Sequence, residues 1–199
     1  YEELTASVRL CGYEQLRYLS SAGKLNFRFV RETCLTQELW RWADVLFFVR
    51  NSSWLSWEIA VCGRKAGKFM VYVLDDDLLH IVQGNPAEKY YGQEAVRNRI
   101  RWFVRNCDVF TSPSAYMLKK YQRFAGKSVR FVQIKEPCMS GKAQISRKVD
   151  TKKLKIGFAG SSDRGTDVER ILHDVLVEFT QKHGSEAEIA FMGTAEDLA

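Results

Sequence analysis

The 199-residue sequence predicts an α/β protein: a first domain built on a parallel sheet, and the opening part of a second domain of the same kind. Three observations carry this reading. Short apolar, β-branched runs of strand length alternate with segments of helical periodicity, the pattern of a parallel sheet with helices on both faces. A polar stretch with no apolar periodicity, residues 135–152, interrupts the alternation. The alternation then restarts at Lys153 with Leu-Lys-Ile-Gly-Phe-Ala-Gly, a buried-strand run ending in glycine. Residues 1–134 are therefore expected to form one domain, 135–152 a linker and 153–199 the beginning of another.

Each element has its own signal. Residues 11–22 read as a helix with Cys11, Leu16 and Leu19 inward, stopped at Gly23. Leu25 to Val30 alternates apolar and polar, as a strand does. Residues 35–43 form a short helix, and Asp44 to Val49 is an almost wholly apolar run of strand length. Ser52 and Ser53 suit the N-cap of a helix that runs through Arg64 and ends near Gly63 and Gly67. Phe69 to Leu74 is again apolar and β-branched. A loop with Gly84, Asn85 and Pro86 leads into a long helix near Glu88 to Asn106, followed by a short strand at Val109 and Phe110. Ser112 before Pro113 reads as a helix start with proline in its first turn, the helix reaching about Phe124. Val129 to Ile134 closes the first domain as a strand. After the strand at 153–159, Val168, Ile171, Leu172, Val175, Leu176 and Phe179 fall at helical spacing, and Ile189 to Met192 reads as one more strand. With a strand so close to Ala199, and Tyr1 at the other end, the chain reads as a piece of a longer protein.

Composition limits the partners. Hydrophobic residues make up 46% and charged residues 27%, an ordinary globular balance rather than a disordered or fibrous one. No run approaches the length of a membrane span, and no secretory leader opens the chain. The five cysteines are scattered without a Cys-x-x-Cys pair, which fits reduced thiols in a cytoplasm, and the three histidines do not join them at metal-ligand spacing. Neither a metal nor a cofactor is expected. Net charge is +6 with a pI near 9.1, which favours anionic partners such as nucleotide diphosphates, a lipid-phosphate acceptor or an acidic membrane surface.

Ligands of open parallel sheets bind outside the carboxyl ends of the strands. Three loops of the first domain lie there: Arg50-Asn51-Ser52-Ser53, Asp75-Asp76-Asp77 and Thr111-Ser112-Pro113-Ser114. Arg50, Asn51, Ser52 and Ser112 are candidate acceptor-binding residues. Asp75, Asp76 and Asp77 are the catalytic candidates, since three adjacent carboxylates need cations, helix N–H groups or water to offset their repulsion. They serve either to hold an acceptor hydroxyl or act as a base, or else as an acidic N-cap in a solvated turn. Asp75 and Asp77 also spell Asp-x-Asp, a pair that can hold a divalent cation. In the second domain, Gly160, Ser161, Ser162, Arg164 and Gly165 follow the strand and precede a helix, a position where backbone N–H groups suit a phosphate.

Arg97, Arg101 and Arg105 recur every fourth residue and form a basic ridge. It reads as a solvated helix face, or as a surface for peripheral contact with anionic lipid. Trp40, Trp42, Trp54 and Trp57 at helical spacing read as core, with stacking on sugar rings as the alternative. There is no nucleic-acid-binding motif, and no nucleic-acid partner is expected.

The strand ending Gly-Phe-Ala-Gly-Ser, the loop with Arg164-Gly165 and the helix opening near Asp167 resemble the nucleotide-sugar-binding domain of GT-B glycosyltransferases. The likeness is to the large retaining family that builds bacterial polysaccharides and glycolipids. That family usually has Lys-Gly where this chain has Arg164-Gly165, the cation facing the donor diphosphate. Tyr72-Val-Leu-Asp-Asp-Asp is similar to a strand and acidic turn in the family's acceptor domain. The resemblance implies two Rossmann-like domains, a nucleotide-sugar donor, a glycan or lipid-linked acceptor, and sugar transfer in the cytoplasm or at the inner face of the plasma membrane. It also implies a later Glu-x7-Glu segment in the donor domain, expected beyond Ala199. The alternative from the residues alone is a non-catalytic α/β module that binds a polyanion.

Overall fold

The computed structural model describes residues 5–134, 153–159 and 168–192. The chain divides into two compact units, residues 1–81 with 89–139, and residues 82–88 with 140–199. Among the described residues their sheets are separate, one with four strands and the other with two.

The first unit opens with a helical stretch made of α1 (Ala6–Val8), a π-turn at Arg9–Tyr13, and α2 (Glu14–Ser21). It ends as its glycine predicts. Gly23 takes φ +66°, its N–H reaches Ser20 O at 3.0 Å, and Lys24 N reaches Leu19 O at 2.9 Å, closing the last turn on its own carbonyls. The short α3 (Gln37–Trp42) is capped by the Thr36 side chain. Then come β1 (Val45–Val49), α4 (Trp54–Lys65), β2 (Phe69–Val73), α5 (Glu88–Tyr91), α6 (Glu94–Asn106), β3 (Val109–Ser112), α7 (Ala115–Tyr121) and β4 (Arg130–Gln133). All pairings are parallel and the strands lie in sequence order, so β1 and β4 are the edges.

Register and burial tell the two faces apart. Phe48, Tyr72, Phe110 and Phe131 form one row, on the face that holds the core. Against them α6 lays Val96, Ile100, Phe103 and Val104, all buried, at the spacing of a single helical stripe. Tyr72 stacks on Phe103 with centroids 4.7 Å apart, and Phe110 on Tyr121 of α7 at 5.5 Å. The opposite face carries Val49, Val73 and Thr111 in one row and Phe47, Val71 and Val109 in another. Here the π-turn packs on β1. A side chain on Gly12 would begin 3.0 Å from Val49 Cγ2 and 3.1 Å from Phe47 Cε1, so glycine lets the backbone come close.

Four expectations change. Residues 25–30 form no regular element and join no sheet. Their alternation serves the N-terminal helix instead: Phe27 and Phe29 meet Tyr13 edge-on at 5.7 and 5.5 Å. The second face of the sheet is not fully covered, being buried at its carboxyl end through Val73 and Thr111 but open at its amino end, where Val45 and Phe69 are about half exposed. The long helix breaks in two at Gly92-Gln93. The cap of α7 is Ser114, whose Oγ accepts from Met117 N, rather than Ser112 with Pro113 in the first turn.

One tight approach supports a prediction. A Cβ on Gly126 would lie 2.5 Å from the backbone oxygen of Arg105, which cannot move aside as a side-chain tip could. Gly126→Ala is expected to cost about 1–3 kcal/mol by overpacking, read as a lower urea midpoint with unchanged slope.

The second unit is a βαβ arrangement. β5 (Leu154–Ala159) pairs in parallel with β6 (Ala187–Met192), and a π-turn at Val168–Leu172 leads into the crossover helix α8 (His173–His183). Leu154, Ile171 and Val175 stay mostly exposed. None of the described helices is long and apolar enough to cross a membrane.

Candidate functional site

The carboxyl ends of β1, β2 and β3 carry the polar groups that the sequence singled out. After Val49 the chain turns through Arg50, whose φ of +57° makes it the one non-glycine residue in the left-handed region among those described. For an arginine this conformation costs on the order of 1–2 kcal/mol and persists only where neighbours over-determine it. They do so here. Asn51 Oδ1 accepts from Val49 N at 2.9 Å, Tyr72 donates its hydroxyl to Asn51 O at 3.0 Å, and Arg99 Nε donates to Ser52 O at 2.7 Å. Ser53 caps α4 by accepting from Ser56 N, and also donates to the Glu32 carboxylate.

The turn brings the Arg50 guanidinium to the acidic loop that follows β2. Its Nη1 donates to Asp76 Oδ2 at 2.9 Å and to Ser7 Oγ at 2.7 Å, and lies 3.7 Å from Asp75 Oδ1. Burial lowers the pKa of Arg50, but Asp75, Asp76 and the Tyr91 hydroxyl outweigh it and hold the guanidinium above its ordinary value. Asp76 remains half exposed while Asp75 is largely buried. The 3.7 Å separation is an ion pair but too long for a hydrogen bond. Asp75 Oδ1 is therefore buried without a hydrogen-bond partner, as is Thr111 Oγ1 at the end of β3.

The third aspartate belongs to another network. Asp77 accepts from Tyr121 Oη at 2.8 Å and Lys120 Nζ at 2.5 Å, both on α7, and contacts His80 Nδ1 at 2.9 Å. Arg123 reaches His80 Nε2 at 3.1 Å; arginine only donates, so Nε2 accepts and the Nδ1 hydrogen points at Asp77. Burial pushes the Asp77 pKa up, but hydrogen bonds from Lys120, His80 and Tyr121 more than offset this and leave it below the ordinary value. Lys120 is raised, chiefly by its hydrogen bond to Asp77, and Tyr121 is raised by burial and then by the same carboxylate. Tyr121 Oη also accepts from Leu79 N at 3.3 Å, so the network pins the loop after β2 to α7. Asp75 leans toward β1 and Asp77 toward α7, so the Asp-x-Asp pair does not converge, and the described residues hold no cluster of three metal-ligating side chains.

The other candidates are placed as follows. Arg50 comes together with Asp75 and Asp76. Asn51 and Ser52 serve the turn itself, with Ser52 Oγ 3.3 Å from Tyr90 Oη. Ser112 is fully buried, its Oγ accepting from Ser114 N. Gly160, Ser161, Ser162, Arg164 and Gly165 lie outside the described residues, in the segment that joins β5 to the helical stretch at Val168. The basic ridge is partly committed: Arg97 donates to Tyr91 O, and Arg101 pairs with Glu94. Trp42 and Trp54 are not core. They are 45% and 59% exposed, and Trp54 leans on Trp57 at 4.9 Å.

Sequence reasoning missed the roles of Ser7, Tyr72, Lys120 and Tyr121. All act through contacts between residues far apart in the chain, for which the local pattern holds no signal. Comparison with family models, curated proteins and solved structures finds no match to this chain.

Proposed function

We propose that the chain is part of a GT-B type glycosyltransferase, with the first unit taking a glycan or lipid-linked acceptor and the second a nucleotide-sugar donor. The observation that carries the reading is the second unit. A strand, β5, ends one residue before Gly160-Ser161-Ser162-Asp163-Arg164-Gly165, and a crossover helix then leads to a parallel neighbour, β6. A glycine- and serine-rich segment with a cation at a strand's carboxyl end is suited to a diphosphate. The first unit has its own sheet, with an anionic, arginine-buttressed cluster at the same kind of edge, which supports an acceptor site there.

The chemistry is positioning plus charge stabilisation. Arg164 and neighbouring N–H groups neutralise the charge that builds on the leaving diphosphate, and Asp75 or Asp76 orients the acceptor hydroxyl. Asp77, taken up by Lys120 and Tyr121, is left a structural part. With Arg97 and Arg101 already engaged, the ridge gives little reason to prefer a polyanion-binding module.

Titration with UDP and GDP tests this. The chain is expected to bind one of them, and Arg164→Ala to weaken binding about tenfold or more, the worth of a charge-assisted contact to phosphate. Equal binding by parent and variant, or binding to heparin alone with a steep salt dependence, removes the donor site and the reading with it.

A further inference from the structure

We infer that the amino end of the first sheet, where the exposed side chains of Val45 and Phe69 lie among unpaired cations, docks on an anionic phospholipid surface. This face is at the opposite end of the strands from Arg50 and Asp75 and takes no part in the proposed sugar transfer.

Pairing places the groups together. Val45 and Phe69 are register partners two residues before Phe47 and Val71, so they share the open face of the sheet, and both are about half exposed. Val71, Val109 and Arg130 are partners in turn, which puts Arg130 on that face as well, about 12 Å from Phe69 by strand spacing. Asp108 ties the rim together: its carbonyl accepts from Arg130 N at 3.0 Å and its carboxylate from Met70 N at 2.8 Å. Arg105 lies three residues earlier, in the last turn of α6. A Cβ on Gly126 would be 2.5 Å from its backbone oxygen, so Lys127, the next residue, starts beside it.

The charge at this end is positive and uncompensated. Arg105, Lys127 and Arg130 are exposed, and none has a side-chain hydrogen bond or ion pair among the described residues. Of the two acids that directly precede strands here, Asp108 is matched by Arg64 at 2.8 Å, and Asp44 alternates away from Val45 to the other face. Arg105 also suits a helix C-terminus, but Lys127 is in a turn and Arg130 in a strand, where no helix dipole calls for them. Apolar side chains beside unpaired cations match a lipid interface, where the former enter the acyl boundary and the latter meet phosphate. A nucleic acid would use the cations and leave aliphatic Val45 unused. A second copy meeting through the same patch would set cation against cation.

Co-sedimentation with vesicles of phosphatidylcholine, alone or mixed with phosphatidylglycerol, tests this. Binding is expected only with phosphatidylglycerol, and to weaken as salt rises. A basic residue beside an anionic membrane is worth about fivefold in partitioning, so Arg105→Gln, Lys127→Gln and Arg130→Gln together are expected to cost about a hundredfold while circular dichroism shows the chain folded. Phe69→Thr keeps a strand-forming residue and all the cations, and is expected to weaken binding about fivefold or more. Should the triple variant unfold, Phe69→Thr and the salt dependence decide. Parent protein that ignores both vesicles, binds neutral ones equally well, or binds heparin or DNA but no vesicle overturns the lipid face. So does a folded triple variant, or Phe69→Thr, that binds like the parent. Nucleoside diphosphate binding that depends on Arg164 is measured on the same protein without lipid. Its loss leaves the lipid face standing, and failure of the vesicle result leaves the donor reading standing.

Discussion

Phe103→Ala is expected to destabilise the first unit by about 3–5 kcal/mol, the range for a large aromatic removed from a well-packed interior. Phe103 is 1% exposed, stacks on Tyr72 at 17° between planes, and touches Phe48 at 5.1 Å and Trp102 at 5.7 Å. It therefore joins the helix layer to both β1 and β2. Urea unfolding followed by far-UV circular dichroism measures the loss, and Phe103→Leu should recover most of it, falling within about 1.5 kcal/mol of the parent. An alanine variant within about 1 kcal/mol of the parent would mean that α6 does not pack on these strands as described. The effect should also reach the site. Tyr72, freed from its stacking partner, no longer fixes the carbonyl of Asn51, and the strained turn at Arg50 loses one of its restraints.

Asp77→Asn is expected to cost about 2–3 kcal/mol near neutral pH. The amide keeps one acceptor for Tyr121 and His80, which share Oδ1, but turns a donor toward Lys120, and a hydrogen bond to a charged group is worth about 1.5–3 kcal/mol. The pH dependence is specific. Because the folded pKa of Asp77 lies below its unfolded value, its contribution is present above the unfolded pKa and is lost as pH falls through the folded one. The stability gap between parent and variant should therefore be constant above about pH 5 and close progressively below about pH 4. A gap that stays open under acid conditions would show that the carboxylate charge contributes nothing and that the loop is held by shape alone.

Much of the first unit was legible because local rules and tertiary structure agree there. Val45–Val49 and Phe69–Val73 are apolar runs of strand length that end where polar turn residues begin, and α4 starts at a serine cap and stops at a left-handed glycine, Gly67 with φ +72°. The stretch at 25–30 misled because an alternating pattern states only that every second side chain is wanted on one side. Whether a neighbouring strand or a helix receives them is decided elsewhere, here by Tyr13. The three aspartates were singled out by their mutual repulsion, but their division of labour was not visible, since Arg50 lies 26 residues from Asp76 and Tyr121 lies 44 from Asp77. Serines at caps show the same limit: Ser112 and Ser114 are alike in sequence, and only the backbone decides which one accepts from the helix.

The strand order has a consequence for how the first unit is assembled. Each strand pairs only with its immediate neighbours in the chain, Val45 with Phe69, Val71 with Val109, Val109 with Arg130. Ring closures are accordingly short, and no pairing waits for a distant stretch of polypeptide. A chain leaving the ribosome can lay down the sheet one βα step at a time, each new hairpin of strand and helix finding its template already in place.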